Sequence, residues 1–208
     1  MLKNLNTTLY FITDSTGFTN DEFLKKVELA LKGGVTMVQL REKEKCTRDY
    51  IDLAKKVHKL TELYGVPLII DDRVDVALAS NAEGVHLGKE DMTVSDARKF
   101  LGSNKIIGAT AKTVEQAVNA LNEGADYLGV GAIFPTTTKV KTIITSVETL
   151  NEICNAVPIP VNAIGGLTPE NIKILKGIPI SGVCAVSAIM KAENPCDAAK
   201  RFLEEMGK

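Results

Sequence analysis

Residues Lys105–Gly131 read KIIGATAKTVEQAVNALNEGADYLGVG, and their pattern decides the fold class. KIIGA is a short β-branched run without strict polar alternation, as expected for a parallel strand covered on both faces. Thr113 then caps a helical stretch in which Val114, Ala117, Val118 and Leu121 fall at i, i+3, i+4 and i+7. Gly124 terminates that stretch, and DYLGVG starts a second strand. Strand, amphipathic helix and strand in so short a span make a βαβ unit.

The unit recurs along the chain. Further strand candidates begin near Leu9 (LYFIT), Thr36 (TMVQLR), Pro67 (PLIID), Gly84 (GVHLG), Ile159 (IPVNAI) and Ser181 (SGVCAVS). Thr47 is read as the cap of a helix carrying Tyr50, Ala54, Val57, Leu60 and Tyr64 on one face. Thr168-Pro169 and Asn194-Pro195 each read as a cap followed by proline in the first helical position. Eight such units at about 26 residues each fit an α/β chain folded as a single-domain (β/α)8 TIM barrel with short loops, spanning residues 1–208. The rival is a doubly wound open sheet. GVGAIF at 129–134 begins like a dinucleotide fingerprint, but Phe134 stands where the third glycine belongs and no G-x4-G-K string is present.

Working outward from the fold, the 25 Lys and Arg against 26 Asp and Glu leave a net charge of −1, so no global field gathers nucleic acid or an anionic membrane. Any anion site is local. The apolar run Leu9 to Ile12 is too short for a signal-peptide core, which makes a cytoplasmic location the expectation. The longest uncharged stretch, Ile153 to Pro169, is broken by three prolines and does not read as a membrane span. Cys46, Cys154, Cys184 and Cys196 match neither a metal knuckle nor a dense disulfide frame.

In such barrels the ligand sits at the carboxyl ends of the strands. After strand 2, Gln39, Arg41 and Lys43 share a face while the chain stays extended, so they can converge on one anion; a solvated charge run is the plainer reading. Asp72 after strand 3 and Asp91 after strand 4 stand on neighbouring strands and suit Mg2+ that also takes substrate phosphate oxygens. The plainer reading has Asp91 capping the helix begun near Thr93 and Asp72 paired with Arg73. The long segment Gly131 to Lys139 carries three threonines and a lysine beside Ile133 and Phe134, which suits a phosphorylated ring substrate. Gly165-Gly166 after strand 7 and Val186-Ser187 after strand 8 fall where barrels often cradle phosphate. His58 and His86 are read as packing or hydrogen-bonding residues, and no Ser-His-Asp, Cys-His or HExxH set stands out. A diphosphate with Mg2+, a monophosphate and no evident general base together suit ionisation of a diphosphate ester followed by capture of the cation.

QLREK (39–43), DDR (71–73), HLGKED (86–91), GAIFPTTTK (131–139), AIGG (163–166) and VSAI (186–189), in register over six barrel loops, resemble the thiamine phosphate synthase family. The resemblance runs from Leu9 to Met206. It implies a (β/α)8 transferase joining 4-amino-2-methyl-5-hydroxymethylpyrimidine diphosphate to 4-methyl-5-hydroxyethylthiazole phosphate, with release of pyrophosphate. By motif, Gln39, Arg41, Lys43 and Lys139 hold the diphosphate, Asp72 and Asp91 bind Mg2+, Thr136 and Thr138 face the thiazole, and Gly166, Val186 and Ser187 cradle its phosphate. Arg41, Lys43, Thr110 and Lys139 are the expected catalytic residues, and Asp71 and Thr110 join the substrate-binding set. The implied partners are small phosphorylated substrates, with no nucleic acid and no membrane; assembly into a homo-oligomer is compatible with the resemblance.

Three positions depart from the family pattern. Asp71 stands where Asn is common, Thr110 where Ser is common, and Lys141 to Ser146 lack the usual glycine. The extra charge of Asp71 is expected to be balanced by Lys112, with protonation or Arg73 as the alternative. The related thiazole tautomerase uses a histidine in the loop after strand 5, where this chain has Lys112, so the synthase is favoured. A non-catalytic phosphate-ligand sensor is the alternative from another class, and the intact Asp72 and Asp91 pair argues against it.

Overall fold

Eight strands of four to six residues pair in parallel, each with the next and the last with the first, so that the sheet closes on itself. They are β1 (Leu9–Ile12), β2 (Met37–Leu40), β3 (Leu68–Asp71), β4 (Gly84–Leu87), β5 (Ile106–Ala111), β6 (Tyr127–Gly131), β7 (Val161–Ile164) and β8 (Gly182–Ala185). The computed structural model describes residues 5–135 and 143–208. Helices α1 (Asn20–Lys32), α2 (Thr47–Leu63), α3 (Val74–Ser80), α4 (Val94–Leu101), α5 (Val114–Glu123) and α6 (Val147–Ala156) follow the first six strands. Helices α7 (Ser187–Met190) and α8 (Pro195–Glu205) follow β8. The open-sheet alternative is thereby excluded.

Period-two alternation sorts each strand into an inner and an outer row. Tyr10, Ile12, Met37, Ile69, Ile106, Tyr127 and Cys184 fill the lumen, while Leu9, Phe11, Val38, Leu40, Leu68 and Ile70 pack outward under the helices. The register keeps the rows distinct: Ile12 pairs with Gln39, Asp71 with His86, Thr110 with Gly129 and Ile164 with Cys184. A one-residue slip would turn these side chains toward the helices, so burial of the outer row fixes which polar groups look inward.

Two of the four caps read from the sequence hold, those of α5 and α8, and α1 carries a further one. Thr19 and Glu22 form a capping box on α1, Thr113 caps α5, and Asn194 precedes Pro195 at the start of α8. Two expectations are corrected. The cap of α2 is Cys46, and Thr47 is the first helical residue, its Oγ1 accepting from Arg73 Nη2 at 2.9 Å. After β7 the expected α-helix is replaced by a 3-10 turn, Ile172–Leu175. Asn171 explains this: its Oδ1 accepts from Thr168 N at 2.9 Å and its Nδ2 donates to Gly166 O at 2.8 Å, fastening the start of the segment to the preceding loop. Gly177, at φ +90°, turns the chain away only two residues after Leu175.

Polar ties set the ends of the strands. At the amino-terminal end of the barrel, Arg98 donates to the carbonyls of Gly102, Lys105 and Gly124 and to Asp126 Oδ2, all within 2.6–2.8 Å. Glu83 joins His58 Nε2 (2.9 Å) to Leu68 N (2.7 Å), so His58 has the hydrogen-bonding role expected of it. At the carboxyl end the buried Tyr50 of α2 donates to Leu40 O at 2.7 Å, with Asp71 O at 3.4 Å. One phenol thus holds the points where β2 and β3 release Arg41 and Asp72 into the mouth. Among the described residues no helix is long and apolar enough to cross a membrane.

Candidate active site at the barrel mouth

Arg41 and Lys43 leave β2 on the inward row and meet Asp71 at the end of β3. Arg41 Nε lies 3.7 Å and Lys43 Nζ 2.7 Å from Asp71 Oδ2, and Lys43 also pairs with Asp72. The Lys43–Asp71 contact is close in distance but poorly aligned as a hydrogen bond, so Asp71 Oδ2 is held by charge more than by a directed donor. Burial raises the Asp71 carboxyl above the usual range and the Asp72 charge adds to that, against the opposing pull of Lys43 and Arg41. Burial disfavours the Lys43 ammonium, but Asp71 and Asp72 outweigh it and raise its pKa. Among the described residues, the cations within 4 Å of Asp71 are these two. The expected balance by Lys112 is therefore corrected. Arg73 does not supply it either, since its guanidinium grips Asp75 and Thr47.

Asp72 sits in a left-handed backbone conformation, φ +61°, with its N–H on His86 O at 2.9 Å and Arg73 N on Asp71 O at 2.7 Å. From that turn the Asp72 charge acts on Asp91 in the loop after β4. Asp91 is fixed by Gly88 N, which donates to its Oδ2 at 2.7 Å; burial first and then Asp72 raise its pKa. Thr93, not Asp91, caps α4, and Asp72 pairs with Lys43, not Arg73, so the cap and the ion pair of the plainer reading are both corrected. Two carboxylates on adjacent loops fit a hard divalent cation, whose charge would offset theirs. Among the described residues no three or more His, Cys, Asp or Glu side chains form a ready metal cage, so a metal held by this pair would draw its remaining oxygens from water and substrate.

Below this charged rim runs a line of neutral polar groups that the sequence did not disclose. Gln39 Nε2 donates to Tyr10 Oη at 2.7 Å, and Tyr10 Oη meets Tyr127 Oη at 2.7 Å. Tyr127 Oη lies 3.0 Å from His86 Nδ1, and His86 Nε2 lies 3.0 Å from Thr110 Oγ1. Burial lowers the His86 pKa to about 4, so the ring is neutral at ordinary pH, in line with the hydrogen-bonding role expected of it. Space for both rings comes from missing side chains: a Cβ on Gly108 would stand 2.1 Å from Tyr127 Cζ, and one on Gly129 3.2 Å from His86 Cε1. Thr110 is exposed at the mouth, whereas Gln39 is 2% exposed and sits one inward step beneath Arg41. Glu42, also unremarked in the sequence, accepts from Ser15 Oγ at 2.8 Å and ties the loop after β1 to the loop after β2.

On the opposite side, the loops after β6 and β7 are zipped together by Ile133 N on Ile164 O (2.9 Å) and Phe134 N on Gly165 O (3.0 Å). Gly165 and Gly166 have φ of +103° and +64°, and a Cβ on Gly166 would come 2.7 Å from Phe134 Cβ and Pro135 O. Only glycine allows this approach. Gly166 and Val186 extend by two residues the paired row Ile164 and Cys184, which puts them at the mouth beside each other's strand. Thr136, Thr138 and Lys139 lie outside the described residues.

The sequence pattern of the family described as thiamine monophosphate synthase matches residues 9–189. The chain belongs to the thiamine monophosphate synthase family. A thiamine-phosphate synthase of Enterococcus faecalis is 55% identical over 185 residues, covering 89% of this chain and 87% of that protein. Thiamine-phosphate synthase 2 of Streptococcus pneumoniae is 52% identical over 198 residues, covering 95% and 94%. A solved structure described as thiamine phosphate pyrophosphorylase from Pyrococcus furiosus superposes with a TM-score of 0.89 at 37% identity, covering 98% of this chain and 96% of that one. The activity is that of a thiamine-phosphate synthase, a transferase of small phosphorylated substrates that couples a pyrimidine diphosphate to a thiazole phosphate with release of pyrophosphate. A thiamine monophosphate synthase thus explains a mouth with cations and carboxylates on one side and a glycine-lined turn on the other.

Proposed function

We propose that thiamine monophosphate forms at this mouth by a dissociative, Mg2+-assisted step in which the diphosphate departs before the thiazole attacks. The observation that carries the reading is the placing of Asp72 and Asp91 on the loops after two paired strands, with Asp72 bound to Lys43 and Asp91 held by Gly88 N. Arg41, Lys43 and Lys139 bind the diphosphate and offset its charge as it leaves, which lowers the barrier where negative charge grows. When held by Asp72 and Asp91, Mg2+ supplies further neutralisation of the leaving group. Asp71 keeps the Lys43 ammonium in place until the diphosphate displaces it. Gln39, one inward step beneath Arg41, joins the residues that hold the diphosphate, Thr110 lines the pyrimidine site, Thr136 and Thr138 face the thiazole, and Gly166, Val186 and Ser187 receive the thiazole phosphate. The thiazole nitrogen is the nucleophile and bears no proton, so no general base is required, consistent with a His86 whose two nitrogens are already engaged.

Converting Asp72 or Asp91 to Ala tests the reading. Each variant is expected to keep its circular dichroism spectrum and unfolding temperature while losing Mg2+-dependent turnover at least ~100-fold, the scale of removing a group that acts on developing charge. Wild-type turnover in either variant would remove that residue from the site.

A further inference from the structure

The line from Gln39 to Thr110 has a direction. A phenol carries one proton, and an amide nitrogen only donates. Gln39 Nε2 donates to Tyr10 Oη, so the Tyr10 proton is free to point at Tyr127 Oη, 2.7 Å away. Tyr127 Oη, having accepted, directs its own proton to His86 Nδ1 at 3.0 Å. With Nδ1 accepting, the ring proton resides on Nε2 and is donated to Thr110 Oγ1 at 3.0 Å. The Thr110 hydroxyl proton is then left without an acceptor inside the line, and Thr110 is exposed at the mouth.

We infer that Tyr10 and Tyr127 are positioning residues that hold His86 in its Nε2–H tautomer and so keep the Thr110 hydroxyl as a hydrogen-bond donor toward an acceptor atom of the bound pyrimidine diphosphate. The inference rests on the placement of that substrate proposed above. Packing alone does not account for the two hydroxyls. Both tyrosines are essentially fully buried, and phenylalanine would fill the same lumen without withdrawing a polar group from water. The opposite polarity would consume the Thr110 proton on Nε2 and present only lone pairs to a substrate whose diphosphate oxygens and ring nitrogens are acceptors.

Two measurements test this. In ligand-free protein labelled with 15N-histidine, and with His86 assigned by comparison with a His58→Gln variant, His86 is expected to show a pyridine-like Nδ1 and a pyrrole-like Nε2. A proton on Nδ1 overturns the inference whether or not the enzyme turns over, which separates its failure from failure of the substrate placement. The second is a double-mutant cycle. Tyr127→Phe and Thr110→Val are each expected to lower kcat/KM for the pyrimidine diphosphate about tenfold, the worth of one hydrogen bond, and the double variant also about tenfold, because Tyr127 acts through Thr110. Thr110→Ser, which keeps the hydroxyl, is expected to restore most of the kcat/KM that Thr110→Val loses. Losses that multiply to about a hundredfold would mean that Tyr127 serves packing alone.

Discussion

The ammonium of Lys43 stands 2.7 Å from Asp71 Oδ2 and also reaches Asp72, so one cation answers two carboxylates at the edge of the barrel. This geometry gives Asp71 a definite cost. Its folded-state pKa lies above that of the unfolded chain, chiefly because it is buried. A carboxyl raised in this way contributes stability below the unfolded pKa and loses it as pH rises through the folded value. In metal-free protein, Asp71→Asn is therefore expected to unfold at a higher temperature than wild type near neutrality. The advantage should vanish below the ordinary aspartate range. Thermal unfolding of both proteins across pH checks it, and a destabilised Asn variant at pH 7 would show that Lys43 and Arg41 more than compensate burial.

Gly108 is reserved for the Tyr127 ring, with 2.1 Å between a built Cβ and Cζ. Gly108→Ala is expected to cost about 2–4 kcal/mol by overpacking. Gly129→Ala, whose Cβ meets only the edge of His86 at 3.2 Å, is expected to cost about 1 kcal/mol. Urea unfolding ranks the two; equal losses would contradict the packing described.

Gly166→Ala forces a side chain into a φ of +64° and against Phe134 and Pro135. The expected outcome is a destabilisation of about 1–3 kcal/mol together with a KM for the thiazole phosphate raised about tenfold and an unchanged KM for the pyrimidine diphosphate. Steady-state kinetics with each substrate varied in turn decides it. A change confined to the pyrimidine side would place the phosphate cradle elsewhere.

Arg98 serves the opposite end of the barrel, where it donates to three carbonyls and Asp126. Arg98→Lys loses the planar fork that spans these acceptors and is expected to destabilise by about 2–4 kcal/mol without altering either KM. A kinetic defect in folded protein would imply coupling between the two ends.

Strands were legible because their residues announce them: LYFI, LIID and GVCA offer burial on both faces and little else. The carboxyl-end residues were legible as a set because chain order and parallel pairing place Arg41, Lys43, Asp72 and Asp91 on consecutive loops. What remained hidden depended on side-chain direction. Tyr10 and Tyr127 look like ordinary strand aromatics until the barrel closes and brings together residues more than a hundred positions apart. The available signal was the inward row itself, where Gly108 and Gly129 flank Tyr127 and leave room for large rings. The partner of Asp71 was missed for a similar reason: a lysine's reach cannot be read from spacing, and Lys43 lies nearer than Lys112. Thr168-Pro169 carries a helix-start signal, yet Asn171 fastens that segment to Gly166 and leaves room only for a 3-10 turn.

Dissociative chemistry is separable from associative displacement by substituents on the pyrimidine. Electron-withdrawing groups destabilise the cation, so single-turnover rates are expected to fall steeply along such a series. A flat response would favour direct displacement by the thiazole nitrogen.

The most direct test of the account is the product balance. Purified protein mixed with the pyrimidine diphosphate, the thiazole phosphate and Mg2+ should yield pyrophosphate and thiamine monophosphate in equal amounts, and neither when Mg2+ is chelated. Binding of both substrates without turnover would contradict the account, as would equal product formation that chelation leaves untouched.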